Sequence, residues 1–228
     1  MTALELSNLE QGSPEWKQAR AGLVTTSRCP DVIATTKKGE AAKRADYRAE
    51  LICEILTGQP YPHFVSKEMQ WGTDQEPFAR AAYELQYDVL VETCGFIVHP
   101  RIKRFGSSPD FLVGAEGMGQ IKCPATKTHL EWMMGGIVPI EHRAQMLGEM
   151  SCTGRIWSDF VSFDPRLPEH LQLFVRRFPR EEKFIISLES EVQHFNYELD
   201  EVLAALPQGP PQPIAALLEM PRRDELEF

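Results

Sequence analysis

The sequence predicts a single α/β or α+β domain built around a mixed β-sheet. The chain has 228 residues, of which 43% are hydrophobic, enough for one sizeable core but hardly for two. The predicted elements run in the order helices, central strands, helix, strands and helix, which favours a mixed sheet. We place one domain at residues 1–206 and a Pro-rich tail at 207–228, because PQGPPQP at 207–213 cannot be helical.

Helices are predicted ahead of the first strand at 13–20, 40–57 and 67–86. The residues TTS at 25–27 indicate a further helix start, which Ser27 is able to cap. The second helix ends at Gly58, a residue type that favours the left-handed conformation of a helix end. In the third helix we expect one buried apolar stripe, formed by Trp71, Phe78, Ala82 and Leu85.

Strands are predicted at 88–98, 104–113 and 119–123, with GAEGMG at 114–119 as a hairpin turn between the last two. Helices at 127–134 and 140–153 follow, and then strands at about 157–163 and 170–178. The last helix, 180–206, is amphipathic because its apolar residues step by three or four. These residues are Phe184, Leu188, Val192, Phe195, Leu199, Val202 and Leu206.

Composition and charge exclude several classes of protein. The net charge of −9 argues against a uniformly basic nucleic-acid coat, although it allows a local basic channel. No run approaches the ~20 apolar residues of a membrane span, and MTALELSNLEQGS lacks the regions of a signal peptide. The five cysteines form no CxxC pair, so we expect reduced thiols in a cytosolic protein. GAEGMG does not match GxGxxG, which argues against a dinucleotide site.

The hairpin within residues 107–124 places charged residues on two apolar strands. Side chains alternate along a strand, so Gln120 and Lys122 share one face, and Asp110 on the opposite strand can lie near Gln120. A strand pair can offer Mg²⁺ two side chains and a backbone carbonyl, and Mg²⁺ prefers oxygen ligands. Together with a lysine, such a site suits metal-assisted phosphodiester cleavage. An exposed strand face with a Lys–Asp pair fits the hairpin equally well.

The hairpin residues Pro109-Asp110 and Gln120-Ile121-Lys122 resemble the core motif of PD-(D/E)xK nucleases. Other stretches resemble one branch of that superfamily, the lambda-type phage exonucleases of viral recombination. These stretches are SPEWKQARAGLVTTS (13–27), MQWGTDQEPFARAAYE (69–84) and HRAQMLGEM (142–150), in the family's order. The resemblance covers about residues 13 to 165. It implies a restriction-endonuclease-like core, in which helices flank a central mixed β-sheet, and a nuclease domain over 1–206.

The resemblance also implies a metal site. The ligands that it implies for Mg²⁺, or for Mn²⁺ in its place, are Glu76, Asp110, Gln120 and the carbonyl of Ile121. Lys122 would orient the attacking water and stabilise the scissile phosphate. Two ions per site are expected when position 120 carries a carboxylate. Without the resemblance, the favoured role of Glu76 is an i,i+4 ion pair with Arg80.

Four further residues match positions that contact DNA in the family: Arg20, Ser27, Lys67 and Gln145. Arg20 and Ser27 would hold the 5′ phosphate of a DNA end, because arginine and helix N-termini both bind phosphate. Lys67 would lie near the scissile strand and Gln145 close to the active centre. The residues alone also allow Ser27 as a cap and Arg20 as a surface charge. Gln145 could equally belong to a helix that packs through Ile140, Ala144 and Leu147.

Gln120 departs from the family pattern, which has glutamate at this position. Glutamine has nearly the same shape but lacks the charge that holds a divalent cation. Either this branch tolerates an amide, or glutamine replaces the glutamate in a deliberately inactivated variant that still binds DNA. We favour the replacement, because every other matching position is intact.

The implied function is a 5′-to-3′ exonuclease on linear double-stranded DNA with 5′-phosphorylated ends, which releases mononucleotides and leaves a 3′ overhang. Family members form ring-shaped homotrimers and work with a single-strand annealing protein, so we expect both here. We also expect a phage or prophage gene, a protein in the bacterial cytoplasm and no membrane association. The alternatives are a site-specific restriction-type endonuclease of the same fold and a catalytically dead DNA-end-binding protein.

Overall fold

A computed structural model describes residues 6–37 and 39–207 of the protein. Its helices are α1 (Pro14–Arg20), α2 (Cys29–Val32), α3 (Ala42–Thr57), α4 (Lys67–Tyr87), α5 (Thr126–Gly135), α6 (Ile140–Thr153) and α7 (Glu182–Ala205). Its strands are β1 (Val24–Thr25), β2 (Thr35–Thr36), β3 (Gly39–Glu40), β4 (Ile97–Val98), β5 (Phe105–Ser107), β6 (Phe111–Val113), β7 (Gly117–Lys122), β8 (Trp157–Phe163) and β9 (Leu173–Pro179). None of the described helices is both long and apolar enough to cross a membrane.

The largest sheet has the strand order β6-β7-β8-β9 and is mixed, as predicted. β7 pairs antiparallel with β6 and parallel with β8, and β9 closes the other edge antiparallel to β8. A parallel pair needs a long crossover connection, and α5 and α6 supply it between β7 and β8. A smaller sheet has the strand order β1-β5-β4, and its strands β4 and β5 come just before the β6–β7 hairpin in the chain.

The core lies between the sheets and the helices that cover them. The apolar stripe of α7 packs against β1, β5 and α3, where Leu188, Val192 and Phe195 join one buried cluster. On β7, the absence of a side chain at Gly119 makes room for a neighbouring ring, because a Cβ there would lie 1.9 Å from Phe111. The strand that carries Gln120 and Lys122 is therefore held tightly against its neighbour.

Several predicted elements are confirmed within a residue or two. Ser13 caps α1 by accepting a hydrogen bond from the Trp16 amide. α3 ends at Gly58 in the left-handed conformation, with φ of 66°. The predicted helices at 67–86, 127–134, 140–153 and 180–206 all form, and the final strands lie at Trp157–Phe163 and Leu173–Pro179. The 104–113 run forms two strands instead of one, because the residues between Ser107 and Phe111 are not in strand conformation.

Other predictions are wrong. Of the 88–98 run only Ile97–Val98 is a strand, while the Gly95 and Phe96 amides donate to the carbonyls of Ser7 and Leu6. Ser27 is no helix cap, because it lies inside a 3₁₀ turn (Thr26–Arg28) that precedes α2. The Pro-rich tail prediction falls on 208–228, which lie outside the described residues.

The apolar stripe predicted for α4 is also wrong. Phe78 and Leu85 are 62% and 87% exposed, whereas Ala79 and Tyr83 are buried against the large sheet. The side of the helix that packs on the sheet carries a small and an aromatic residue, Ala79 and Tyr83, whereas the larger apolar residues Phe78 and Leu85 lie on the solvent side. The true buried face of α4 is the one that carries Glu76 one turn earlier, since residues three and four apart share a face. Ile140, predicted on the packed face of α6, is likewise 80% exposed.

Candidate active site

Asp110 lies at the start of the hairpin, next to β7. Its backbone amide donates to the Gly119 carbonyl at 3.2 Å. Its Oδ2 atom accepts hydrogen bonds from the Ile121 amide at 2.5 Å and from Gln120 Nε2 at 2.7 Å. The proximity of Asp110 and Gln120, predicted from strand alternation, is therefore present in the structure.

Glu76 and Asp110 line the same cavity, which has a volume of about 640 Å³. We call it the catalytic cavity; Arg80 of α4 and residues 7–11 of the N-terminal segment also line it. Burial and the charge of Asp110 raise the pKa of Glu76 to about 7, although Lys122 and Arg80 act to lower it. Helix α4 and the hairpin thus bring both carboxyl groups and the lysine into one electrostatic environment.

The same charged neighbours, Lys122 and Arg80, also affect the pKa of Asp110. Burial raises its pKa, while Lys122, the Ile121 amide and Arg80 lower it. Two carboxyl groups held so close in a half-buried cavity favour a bound cation, because like charges in a poorly solvated place are costly. The arrangement therefore has the electrostatics of a cation site.

The ion pair between Glu76 and Arg80 is not formed. No ion pair of Arg80 within 4.0 Å is found among the described residues, and its Nε atom is buried without a hydrogen-bond partner. Both side chains instead face the catalytic cavity. The expectation of an i,i+4 ion pair between Glu76 and Arg80 is therefore wrong.

Gln120 is 2% exposed and lies between Asp110 and helix α6. Its Oε1 atom accepts a hydrogen bond from Gln145 Nε2 at 2.6 Å. The same nitrogen of Gln145 donates to Glu149 Oε1 at 2.9 Å. Gln145 is thus brought to the centre of the site, one side chain away from Asp110.

Sequence reasoning missed Glu149. This residue is fully buried, and burial raises its pKa well above the ordinary value, with the charge of Asp110 acting in the same direction. A signal was available, because Glu149 lies one helical turn after Gln145 in a stretch that is otherwise apolar. A carboxylate in the middle of a packed helix is uncommon and marks a possible site.

A cation such as Mg²⁺ at this place would find only part of its oxygen donors in carboxylates. Among the described residues, no three His, Cys, Asp or Glu side chains form a group that could hold a metal ion. Donors beyond Glu76 and Asp110 must therefore be neutral oxygens, such as the Gln120 amide and the Ile121 carbonyl. Neutral oxygens are acceptable to Mg²⁺ but add no charge.

Arg20 and Ser27 line a second cavity of about 730 Å³, which we call the Arg20 cavity. The guanidinium carbon of Arg20 lies 3.7 Å from the ring centre of Trp16. Burial lowers the pKa of Arg20 to about 10, so it stays charged at neutral pH, and its Nε atom is buried without a partner. The alternative of a solvated surface charge does not fit this half-buried position, and Arg20 presents to the cavity a cation without an ion-pair partner among the described residues.

Ser27 is exposed at the edge of the Arg20 cavity, with its Oγ atom 3.2 Å from Thr25 Oγ1. Lys17 and Arg28 line the same cavity, as do Glu50 and Glu54, and Arg28 is ion-paired with Glu50 and Asp31. Lys67 is the first residue of α4 and is exposed, and it lines neither of these two cavities. The structure therefore brings Arg20 and Ser27 together but leaves Lys67 apart from them.

Comparison with known proteins gives the relatives of the chain. Residues 15–156 match the YqaJ-like viral recombinase domain. An alkaline exonuclease from Laribacter hongkongensis, LHK-Exo, is 44% identical, and its crystal structure covers 90% of this chain and 100% of its own with a TM-score of 0.79. The structure of LHK-Exo in complex with dAMP gives 0.80 at the same identity and coverage.

A phage-related exonuclease from Haemophilus somnus 129PT shares the fold at 14% identity. Its structure covers 81% of this chain and 96% of its own, with a TM-score of 0.61. No curated protein matches the chain. The structural matches confirm the predicted restriction-endonuclease-like fold with helices around a mixed sheet.

Proposed function

Because the chain belongs to the YqaJ-like viral recombinase family, as its resemblance to lambda-type exonucleases predicted, we propose that it degrades linear double-stranded DNA from the 5′ end. The products are mononucleotides and a 3′ single-stranded overhang. One observation carries the proposal: Glu76 and Asp110 share the catalytic cavity, and the charge of Lys122 acts on both carboxyl groups. This combination suits hydrolysis of a phosphodiester, whose transition state gathers negative charge.

Glu76, Asp110, Gln120 and the Ile121 carbonyl are the residues that would hold Mg²⁺, with Mn²⁺ as a substitute. The bound cation would polarise the phosphate and lower the pKa of the attacking water. Lys122, half-buried next to both carboxyl groups, orients that water and stabilises the developing charge. Glu149 and Gln145 fix the position of the Gln120 amide from the α6 side.

The Arg20 cavity would receive the 5′ phosphate of the DNA end. A phosphate accepts paired hydrogen bonds from a guanidinium, and Arg20 is charged, buried and free of an ion-pair partner among the described residues. Ser27 contributes a hydroxyl at the edge of the same cavity. DNA ends that carry a 5′ phosphate are therefore the preferred substrate.

Gln120 makes this chain a slow enzyme. With an amide in place of the family's glutamate, Glu76 and Asp110 supply all the carboxylate charge at the cation, so Mg²⁺ binding is weakened. The Gln120→Glu variant restores a third carboxylate, and with it two ions per site. Because the amide weakens Mg²⁺ binding, we favour a glutamine that replaces a natural glutamate at position 120 over a branch of the family that tolerates the amide.

The experiment uses end-labelled linear duplex and closed circular DNA, with the parent chain and the Gln120→Glu variant side by side. We expect the variant with Mg²⁺ to release labelled mononucleotides from 5′ ends and to leave the circles intact, while the parent acts far more slowly. Linearised circles would instead establish the restriction-type endonuclease. An inactive Gln120→Glu variant that still binds ends would establish a DNA-end-binding protein.

Two partners complete the proposal. A homotrimeric ring would let an acidic chain enclose DNA, because the net charge of −9 can face outward around a basic bore. A single-strand annealing protein would load on the 3′ overhang as it forms. Sedimentation of the purified chain, and co-purification with the annealing protein of the same phage or prophage, test these two expectations.

A further inference from the structure

A chain of hydrogen bonds connects two carboxyl groups through two amides. It runs from Asp110 to Gln120, from Gln120 to Gln145 and from Gln145 to Glu149, with donor–acceptor distances of 2.7, 2.6 and 2.9 Å. All four side chains are buried or half-buried. The far end is incompletely satisfied, because Glu149 Oε2 is buried and has no hydrogen-bond partner.

The direction of each hydrogen bond follows from chemistry. An ionised carboxylate only accepts, so Gln120 must turn its NH₂ group toward Asp110 and its oxygen toward Gln145. Gln145 must then turn its NH₂ group toward Gln120, and it uses the second hydrogen for Glu149. The orientation of one amide thus dictates the orientation of the next.

This orientation conflicts with a role for Gln120 as a cation ligand. An NH₂ group cannot coordinate a cation, so the Gln120 amide has to reverse and present its oxygen. Its NH₂ group then faces Gln145, which must also reverse. The Gln145 oxygen now faces Glu149, and that contact is favourable only if Glu149 donates a hydrogen.

We propose that Glu149 is a positioning residue that acts through Gln145 on the Gln120 amide and so sets the affinity of the site for a divalent cation. The inference rests on the proposed function of the same site. The contact through Glu149 Oε1 supports it, because a neutral Glu149 with its hydrogen on this atom would donate to the Gln145 oxygen once Gln145 reverses, while Oε2 has no partner that competes for the hydrogen. The raised pKa of Glu149 favours this neutral form.

The effect of Glu149 must depend on which residue occupies position 120. A glutamate at 120 accepts hydrogen bonds from Gln145 in its present orientation and needs no reversal before it binds a cation. Only the amide at 120 creates the demand for a donor at 149. A residue that merely supports the fold would act equally in both backgrounds, so the dependence on position 120 distinguishes positioning from packing.

The test compares four proteins: the parent, Glu149→Leu, Gln120→Glu and the double variant. Calorimetric titration with Mn²⁺ in the absence of DNA gives the dissociation constant of each. In the parent background we expect Glu149→Leu, or Glu149→Met if the leucine variant does not fold, to raise the dissociation constant about threefold to tenfold, the range that one net hydrogen bond supplies. In the Gln120→Glu background we expect a change below about twofold, because Gln145 keeps its orientation.

Two variants guard the comparison. Glu149→Gln keeps a hydrogen-bond donor at position 149 and should leave Mn²⁺ binding to the parent within about twofold, which separates loss of the donor from loss of the carboxyl group. Glu116→Gln makes the same chemical change in the exposed hairpin turn and should alter neither background. Circular dichroism and thermal unfolding establish the folded state of each protein.

The outcomes separate the hypotheses. Weaker Mn²⁺ binding by Glu149→Gln in both backgrounds would mean that Glu149 supplies charge to the cation, and it would overturn the positioning role. Equal affinities of the parent and Glu149→Leu would overturn it as well. A Gln120→Glu variant that neither binds Mn²⁺ nor cleaves DNA would instead refute the proposed nuclease function.

Discussion

Replacing Arg20 with alanine should remove most of the preference for DNA ends that carry a 5′ phosphate. Arg20 has no ion-pair partner within the described ranges, and its guanidinium lies over Trp16 in a 730 Å³ cavity. Burial lowers its pKa to about 10, which measures how poorly the charge is solvated. A phosphate would therefore meet a poorly solvated cation on which Glu54 acts through its charge but with which Glu54 forms no ion pair.

The magnitude follows from the type of contact. A hydrogen bond to a charged group contributes about 1.5–3 kcal/mol net, which is about 10- to 150-fold in affinity. We expect the parent to favour a phosphorylated end over a hydroxyl end by a factor in this range and Arg20→Ala to favour it by less than about threefold. Arg20→Lys should fall between them, because lysine keeps the charge but loses the planar fork.

Fluorescence anisotropy with labelled duplexes measures this preference in the parent chain, with divalent cations left out so that the ends stay intact. The control is Arg101→Ala, which removes the same formal charge from a side chain that is 77% exposed and should not change the ratio. If Arg20→Ala weakens binding to both kinds of end equally, Arg20 supplies only general attraction to DNA. An unchanged ratio would refute the reasoning altogether.

Three further changes test the fold around the site. Gly119→Ala would place a Cβ 1.9 Å from the Phe111 ring and should cost about 1–3 kcal/mol in urea unfolding; an unchanged midpoint would contradict this packing. Tyr83→Phe removes a 2.7 Å hydrogen bond to buried Asp159 and should cost about 1–3 kcal/mol, read from the same curves. Burial lowers the pKa of His142 to about 4. The unfolded chain therefore takes up this proton first as the pH falls, and stability should drop by about 2 kcal/mol from pH 7 to pH 5 through this group. His142→Phe should flatten that slope, whereas an equal slope in both proteins would exclude the residue as its source.

Local periodicity accounts for the parts of the site that were predicted. Alternation along a strand placed Gln120 opposite Asp110, and a hairpin turn fixed which strands pair. The step of three or four along α7 identified Leu188, Val192 and Phe195, all of which are buried. Such patterns need only the nearest neighbours in the chain, which is why a single sequence reveals them.

Tertiary contacts account for the predictions that were wrong. Phe78 and Leu85 look like core residues by type, yet the sheet meets α4 through Ala79 and Tyr83. The apolar run at 88–98 satisfies part of its backbone through residues 6 and 7, more than 80 positions away, so most of it forms no strand. Glu149 is buried because α6 packs on the sheet, and its place in an otherwise apolar stretch was the local signal of that contact.

Side chains of the N-terminal segment connect the Arg20 cavity to the hairpin that carries Asp110. The guanidinium of Arg20 stacks on the ring of Trp16. The indole nitrogen of Trp16 donates a hydrogen bond of 3.0 Å to the Oγ atom of Ser108, two residues before Asp110. Gln11 donates to the Pro109 carbonyl at 2.8 Å and so ties the N-terminal segment to the same loop. A 5′ phosphate in the Arg20 cavity and a scissile bond at Asp110 would therefore be kept at one spacing. A constant spacing between an end clamp and the reacting phosphodiester is what removal of one nucleotide per cycle requires, since each new end must reach the clamp before the next cut.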